Sequence, residues 1–208
     1  MEFTTKKAAK EVVKQLSEPG KMPCFSYSLP AAECNVGSRL RKIENSVCGS
    51  CYAHKGNYTR FPEVQKALYR RLKAIYDPNW IDAMVFLIKD EKYFRWHDSG
   101  DLMNSKHLED ILTVCDRTPN TKHWLPTREY NIVEDVMKHR KSPKNMFLRL
   151  SAHMIDQTGP VELAKRLGVL TSEVGTKKYT CPAGDQGGKC LDCRACWTRK
   201  MNITYHKH

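Results

Sequence analysis

The middle third of the chain alternates short apolar runs with amphipathic periods, and this order limits the fold more than any other feature of the sequence. We predict strands over residues 92–97, 122–126 and 145–150. The segments between them, residues 105–117 and 131–140, show the three-to-four-residue apolar spacing of helices. A strand, a helix and a further strand in this succession are typical of βαβ units, which build parallel sheets. The sequence therefore predicts an α/β fold with a parallel sheet.

Weaker patterns flank this region. Residues 4–18 have a helical period, and residues 22–29 have the composition of a strand. Two further helices are predicted over residues 62–76 and 80–89. Residues 30–60 lack a regular pattern, and a loop of that length is usually functional or cross-linked.

A length of 208 residues suits one domain with its own core. Within residues 1–208 we expect an N-terminal helix (1–20), a cysteine-bearing strand and loop (21–60), a βα core (61–160) and a cysteine-rich, metal-binding C-terminal segment (176–208). The two cysteine-bearing segments are expected to meet at one edge of the sheet. At the tail, Tyr205, His206 and His208 are expected to be only partly ordered, and His206 is a weak candidate ligand.

Charge and hydropathy narrow the choice of partners. The formal net charge is +12, which favours polyanions such as nucleic acid or a phosphorylated small-molecule substrate. The basic residues are dispersed, however, and no run of five or six occurs, so solvated helix faces explain them equally well. No apolar run approaches the length that spans a bilayer, and the N-terminus lacks the apolar region of a signal peptide. We therefore expect a cytoplasmic protein without a membrane partner.

Nine cysteines in such a chain indicate metal binding or chemistry rather than disulfides. Cys190, Cys193 and Cys196 are spaced so that a short loop can wrap three thiolates around an iron–sulfur cluster, and Cys181 can supply the fourth ligand. This spacing predicts a 4Fe-4S cluster. Zinc is the alternative, because Cys48-x2-Cys51 can provide the second half of a mixed zinc site.

The N-terminal cysteines are Cys24, Cys34, Cys48 and Cys51. Cys48-x2-Cys51 followed by Tyr52 can be a redox pair, half a zinc site or part of a cluster site. We interpret it as a cofactor-binding element at the carboxyl edge of the sheet, where ligands bind in such folds. One cluster or two are both compatible with eight clustered cysteines. The remaining thiol, Cys115, is predicted to be buried in the core.

Polar side chains follow each of the three central strands, and the carboxyl ends of parallel strands line one site. They are His97, Asp98, Ser99 and Asp101, then Thr127, Arg128 and Glu129, and finally Ser151 and His153. The histidines are candidate acid–base groups or metal ligands, and the aspartates can orient them. Arg128 can hold a carboxylate or phosphate. Serine beside histidine is also compatible with a hydrolase.

Several of these motifs occur together in one known family. Cys48-x2-Cys51-Tyr-Ala, Trp96-His-Asp-Ser-Gly-Asp101, Pro126-Thr-Arg128 and the C-terminal cysteine run resemble the gene-product-88-like family of bacteriophage proteins, from about residue 21 to the end. That resemblance implies expression in the cytoplasm of a phage-infected host and a cysteine-bound metal centre. A weaker likeness to radical S-adenosylmethionine enzymes implies a partial barrel with cluster cysteines after the first strand. Their Cys-x3-Cys-x2-Cys signature is incomplete here, because Glu44 stands at its first position and Cys34 would have to substitute.

We therefore expect an iron–sulfur protein, and an enzyme, with a pocket at the strand ends. The alternatives are an esterase or phosphoesterase with a structural metal, and a zinc-stapled nucleic-acid-binding protein. S-adenosylmethionine is kept as an alternative cofactor, and the oligomeric state is left open.

Overall fold

A parallel sheet curled into a half-barrel organises the chain. The computed structural model describes residues 2–207. Its six strands are β1 (Phe25–Tyr27), β2 (Tyr93–Trp96), β3 (Lys122–Thr127), β4 (Met146–Ser151), β5 (Leu170–Gly175) and β6 (Ile203–His206). The eight helices of the described residues are α1 (Lys6–Val13), α2 (Asn35–Leu40), α3 (Asn57–Arg60), α4 (Pro62–Ala74), α5 (Trp80–Ile88), α6 (Ser105–Arg117), α7 (Tyr130–Met137) and α8 (Val161–Leu167).

The strands lie in the sheet in the same order as in the sequence, from β1 to β6. Every neighbouring pair is parallel, as in the register of Phe94 with His123 and of Trp124 with Phe147. Connections between parallel neighbours must cross over the sheet, and helices α6, α7 and α8 do so between β2 and β5. All carboxyl ends therefore meet at one edge, called here the carboxyl edge.

The larger core lies between the sheet and its helices. Alternate strand residues face it, because successive side chains in a strand point to opposite sides. Phe94 and Trp96 of β2 are fully buried there, together with Leu125 of β3 and Leu148 of β4. Cys115 of α6 is buried in the same core, as the sequence predicts. This layer fixes the helices on the outside of the half-barrel.

A smaller core covers the opposite, inner face of the sheet. Trp124 and Phe147 pack there against Trp197, which belongs to the closing segment, defined as residues 181–202. Arg149 of β4 is fully buried and donates hydrogen bonds to the carbonyl oxygens of Ala195, Thr198 and Met201 at 2.9–3.2 Å. A guanidinium that satisfies several carbonyls holds the closing segment across the inner face.

The predicted helices and strands are confirmed for the central region, and their ends need correction elsewhere. The first helix is shorter than predicted and ends at Val13, because Lys14 and Gln15 adopt left-handed backbone conformations with φ of 60° and 76°. The first strand covers only residues 25–27 of the predicted 22–29. The helix predicted over residues 131–140 covers Tyr130–Met137, with Glu129 at its N-cap position.

The sequence patterns missed several elements. Residues 30–60 contain α2 and α3, and the region after β4 contains α8, β5 and β6. The expectation of a partly ordered tail is wrong for Tyr205 and His206, which belong to β6 and pair with β5. His208 lies outside the described residues.

Candidate functional site

Asp101 joins the carboxyl ends of β2 and β3. Its side chain is almost completely buried. Its carboxylate accepts hydrogen bonds from the Thr127 hydroxyl at 2.5 Å and from the backbone N–H groups of Arg128 and Leu102 at 2.9 and 2.8 Å. Burial raises the pKa of the Asp101 carboxyl, while the hydrogen bond from Thr127 acts in the opposite direction. Because both carboxylate oxygens already accept hydrogen bonds, the main role of Asp101 is to hold the ends of β2 and β3 together.

Asp98 is the central acceptor of a second polar network on the inner side of the carboxyl edge. Its carboxylate accepts hydrogen bonds from the hydroxyls of Ser26 and Tyr58 at 2.8 and 2.7 Å and also from the Ser28 hydroxyl. The Tyr52 hydroxyl donates to the Asp98 backbone oxygen. The residue after Cys51 is thus tied directly to the end of β2.

Arg128, Tyr130 and His153 form a third cluster at the ends of β3 and β4. The His153 ring stacks on Tyr130, with centroids 4.4 Å apart, and its Nε2 lies 3.3 Å from the Arg128 backbone oxygen. The Arg128 Nε donates to the Ala152 oxygen at 3.1 Å. Burial lowers the pKa of the His153 imidazole. A neutral histidine is therefore the dominant form at pH 7.

Three thiols of the loop after β1 lie together at this edge. We call Cys34, Cys48 and Cys51 the edge thiol group. Cys34 is close enough to both of the others for their charges to interact. A Cβ placed on Gly37 would stand only 3.6 Å from the Cys34 sulfur and 3.7 Å from the Cys48 sulfur. Glycine therefore keeps open the space between these two sulfurs.

Backbone contacts explain why the edge thiol group lies at the strand ends. Glu129, directly after β3, accepts a hydrogen bond from the Val36 N–H at 2.7 Å, which holds the start of α2 beside Cys34. Val47 donates to the His153 backbone oxygen at 2.9 Å, which holds the turn before Cys48 against the segment after β4. The loop is thus attached at both ends of the edge thiol group.

Five other thiols form a second group. We call Cys24, Cys181, Cys190, Cys193 and Cys196 the closing thiol group. Cys190 lies close to the thiols of Cys181 and Cys193, and Cys24 lies close to Cys190. The structure therefore corrects the predicted division into four N-terminal and four C-terminal cysteines. Cys24 lies with the closing segment, and the two cysteine-bearing ends of the chain do not form a single group.

Several thiols of both groups are partly buried. Burial raises the pKa of Cys34 and Cys48 in the edge thiol group. In the closing thiol group, burial raises the pKa of Cys24 to about 12 and that of Cys196 to about 11. A thiolate in such surroundings is stable when a bound cation replaces its proton. The donor set therefore fits a soft metal centre better than it fits a solvent-exposed redox pair.

The side chains of three further polar residues of the strand ends make contacts outside these clusters. His97 has a left-handed backbone, with φ of 56°, and its ring lies 5.3 Å from the buried His107 ring of α6. Ser99 donates its hydroxyl hydrogen to the Leu29 carbonyl oxygen at 2.8 Å. Ser151 is hydrogen-bonded to Ser172. Among the described residues, no serine hydroxyl of the strand ends is hydrogen-bonded to a histidine.

Arg95 was not predicted as a site residue, although it lies between the Asp98 network and the closing thiol group. It stands on the inner face of β2, with its guanidinium 4.5 Å from the centre of the Trp124 ring. Tyr52, Asp98 and Cys196 all lie within range of its charge. The available signal was a single charged residue inside the apolar run Tyr93-Phe-Arg-Trp96.

Two features are absent from residues 2–207. No group of three or more His, Cys, Asp or Glu side chains is arranged to hold a metal ion. None of the described helices is both long and apolar enough to cross a membrane.

The fold and the site define a class of protein: an α/β half-barrel with a group of three thiols at its carboxyl edge. The family model described as Gene product 88 matches residues 2–199. The chain therefore belongs to the Gene product 88 family, as its motifs suggest. We found no match to it among curated proteins and none among solved structures.

Proposed function

We propose that the edge thiol group binds a 4Fe-4S cluster and that this protein is a phage-encoded iron–sulfur enzyme of the radical S-adenosylmethionine type. One observation carries the proposal. At the carboxyl edge, Cys34 and Cys48 of the loop after β1 flank the space that Gly37 leaves open, and Cys51 lies close enough for its charge to interact with that of Cys34. Catalytic sites of parallel half-barrels and barrels lie at that edge.

The sequence positions of the ligands are also compatible with a cluster. Each thiolate of a four-iron cluster binds a different iron, so the sulfurs stand further apart than the ligands of one ion. The incomplete Cys-x3-Cys-x2-Cys signature is compatible with this proposal. Cys34 lies beside Cys48 and Cys51 and can serve as the third ligand in place of the residue at position 44.

Three protein thiolates leave one iron of a four-iron cluster open to a ligand. When bound, such a cluster supplies one electron to that ligand. The chain's own residues then orient the ligand. The Arg128 guanidinium lies near Cys48 and can contact a carboxylate or phosphate. Asp101 holds the backbone of Arg128 in place, and the Tyr52 hydroxyl fixes the end of β2 beside Cys51.

The experiment tests cluster binding and the proposed reaction separately. Protein purified without oxygen should be brown, should absorb near ~400 nm and should contain iron and sulfide. With dithionite and S-adenosylmethionine, it should release methionine and 5′-deoxyadenosine. These products form when one electron from dithionite breaks the sulfonium carbon–sulfur bond, which releases methionine, and the resulting nucleoside radical takes a hydrogen atom from a C–H bond of a substrate or a buffer molecule.

Cys48→Ala should abolish this release, while Cys115→Ala, which changes a thiol of the helix-covered core, should retain it. Colourless protein with stoichiometric zinc would overturn the whole proposal. Brown protein that never consumes S-adenosylmethionine would overturn the proposed reaction class but not the proposed cluster.

A small or phosphorylated substrate remains our proposal for the partner of this site. A nucleic-acid partner is the alternative that the net charge favours, and it predicts binding that weakens steeply with salt. Neither the hydrolase nor the zinc-stapled alternative gains a specific supporting contact at the strand ends.

A further inference from the structure

The closing thiol group has five sulfurs, lies on the inner face of the sheet and is separate from the site proposed above. We infer that it binds a second four-iron cluster held by four protein thiolates, those of Cys24, Cys181, Cys190 and Cys193. This inference does not require the first cluster or its chemistry.

Proximity defines the group. Cys181, Cys190 and Cys193 lie mutually close, since Cys190 interacts with both of the others and Cys181 interacts with Cys193. A three-residue turn joins two of them, with the Cys193 N–H bonded to the Cys190 oxygen at 2.9 Å. These three sulfurs supply three corners of a cluster.

The fourth corner comes from the other end of the chain. The Cys190 N–H donates to the Lys21 carbonyl oxygen at 2.9 Å, which holds the segment before β1 against the closing segment. Cys24 follows on that segment and lies near Cys190. Met22 of the same segment accepts a hydrogen bond from Arg95 at 3.2 Å. Cys24 is thus held beside the group from two directions.

Cys196 has a different partner. Its sulfur lies 3.4 Å from the hydroxyl of Tyr205, and it packs against the small core of Trp124, Phe147 and Trp197. A ligand thiolate would still accept the hydrogen bond from Tyr205, and Cys196 also lies near Cys181. We assign the fourth position to Cys24, which lies near Cys190, and the single variants below decide between Cys24 and Cys196.

The charges around the group fit an anionic centre. Arg95 and Arg149 both approach the closing thiols. Within residues 2–207, neither guanidinium forms a salt bridge, and the Nε atom of each is buried without a hydrogen-bond partner. Buried cations need compensating negative charge. The Asp98 carboxylate lies within range of Arg95, and thiolates around a cluster would add negative charge beside both guanidiniums, whereas neutral thiols would not.

Because all four irons would carry a protein ligand, this second cluster has no open position for a substrate. Its chemical role is therefore electron transfer. Arg95 lies between the two thiol groups, within range of Tyr52 on one side and of Cys196 on the other. The second cluster is thus placed to exchange electrons with the carboxyl edge.

The test counts iron and sulfide and records electron paramagnetic resonance spectra of the full-length protein prepared without oxygen. The wild type should contain about eight irons per chain. Replacing Cys34, Cys48 and Cys51 together by alanine should leave about four irons and one reducible cluster signal. Loss of all iron in that variant would overturn the second site. Retention of all iron there would overturn the proposed function instead.

Single variants test the ligand assignment. Cys24→Ala should halve the iron content and keep the signal of the edge cluster, while Cys196→Ala should keep both signals. The opposite pattern, or full iron content in Cys24→Ala, would overturn the assignment. Circular dichroism of each variant checks folding, and Cys115→Ala is the control for loss of a thiol that no site uses.

Discussion

Trp197 donates its indole hydrogen to the backbone carbonyl oxygen of Phe94 at 2.9 Å, across a sequence separation of 103 residues. This bond connects the closing segment to the middle of β2. The Trp197 ring also packs against Trp124 with centroids 5.5 Å apart. The closing segment is therefore part of the folded core rather than an appendage.

Replacing Trp197 by phenylalanine should lower the free energy of unfolding by about 2–3 kcal/mol, because the variant loses the hydrogen bond and part of the buried ring. Urea unfolding followed by far-ultraviolet circular dichroism measures the change. Tyr76→Phe, at a side chain that is 63% exposed, serves as the control and should change stability by less than about 0.5 kcal/mol. Equal stability of both variants would mean that the closing segment is not docked as described.

Gly37→Ala should reduce iron binding by the edge thiol group and leave the fold intact. The added methyl group would stand 2.9 Å from the Cys34 Cβ and close to both sulfurs, in the space where we propose that a cluster lies. Gly20→Ala is the matched control, since nothing lies within 4 Å of its Cβ position. Iron content and the melting temperature distinguish a blocked site from a general loss of stability. Normal iron content in Gly37→Ala would contradict the proposed position of the cluster.

Asp101→Asn should destabilise the protein by about 1–3 kcal/mol, because an amide cannot accept from all three donors that surround the carboxylate. One of these donors is the Arg128 N–H, so the variant should also weaken binding of an anionic ligand at the edge. Asp90→Asn, at an exposed position after α5, provides the control. The comparison uses urea unfolding at pH 7, and a neutral effect would show that Asp101 does not organise the strand ends.

The protein should lose stability as the pH falls below about 6.5. Burial lowers the pKa of His107 and of His123 to about 3 in the folded state, against an ordinary value of 6.5. Below pH 6.5 the unfolded chain therefore binds more protons than the folded chain. The stability that the neutral histidines contribute is present above that pH and is lost progressively towards pH 3.

His107→Gln should reduce this acid dependence, since glutamine keeps a hydrogen-bond acceptor and does not titrate. Urea unfolding at several pH values between 8 and 4 measures the slope for each protein. The values at pH 8 give the cost of the substitution itself. A variant slope equal to the wild-type slope would show that His107 is not buried in the neutral form.

Sequence reasoning predicted the central βα units well because their cores follow simple periods. The predicted helix over residues 105–117 agrees with α6 at both ends, where Asn104 caps the first turn. Strands β5 and β6 were missed because their residues are largely polar. Thr204 and Tyr205 of β6 are recruited into the sheet by pairing with β5 and by the closing segment, which no local pattern encodes.

The candidate site was predicted in part. The spacing of the cysteines indicated thiol clusters, and Asp98, Asp101 and Arg128 do lie at the carboxyl edge. Cys24 was assigned to the N-terminal group, yet β1 separates it from Cys34 and it lies near Cys190 instead. The His97 ring lies beside His107 rather than at the carboxyl edge, because the His97 backbone is left-handed. A sequence period cannot reveal a single unusual φ.

Cys24 and Cys190 lie close together although almost the whole chain separates them in sequence. During synthesis the N-terminal part of a chain leaves the ribosome first. The edge thiol group depends on contacts with Glu129 and with the His153 backbone, so it can assemble once those residues have emerged, whereas the closing thiol group exists only after the final segment has emerged. If both groups bind clusters as we propose, they become competent for metal at different stages of synthesis, and a C-terminally shortened chain is expected to load the edge thiol group alone.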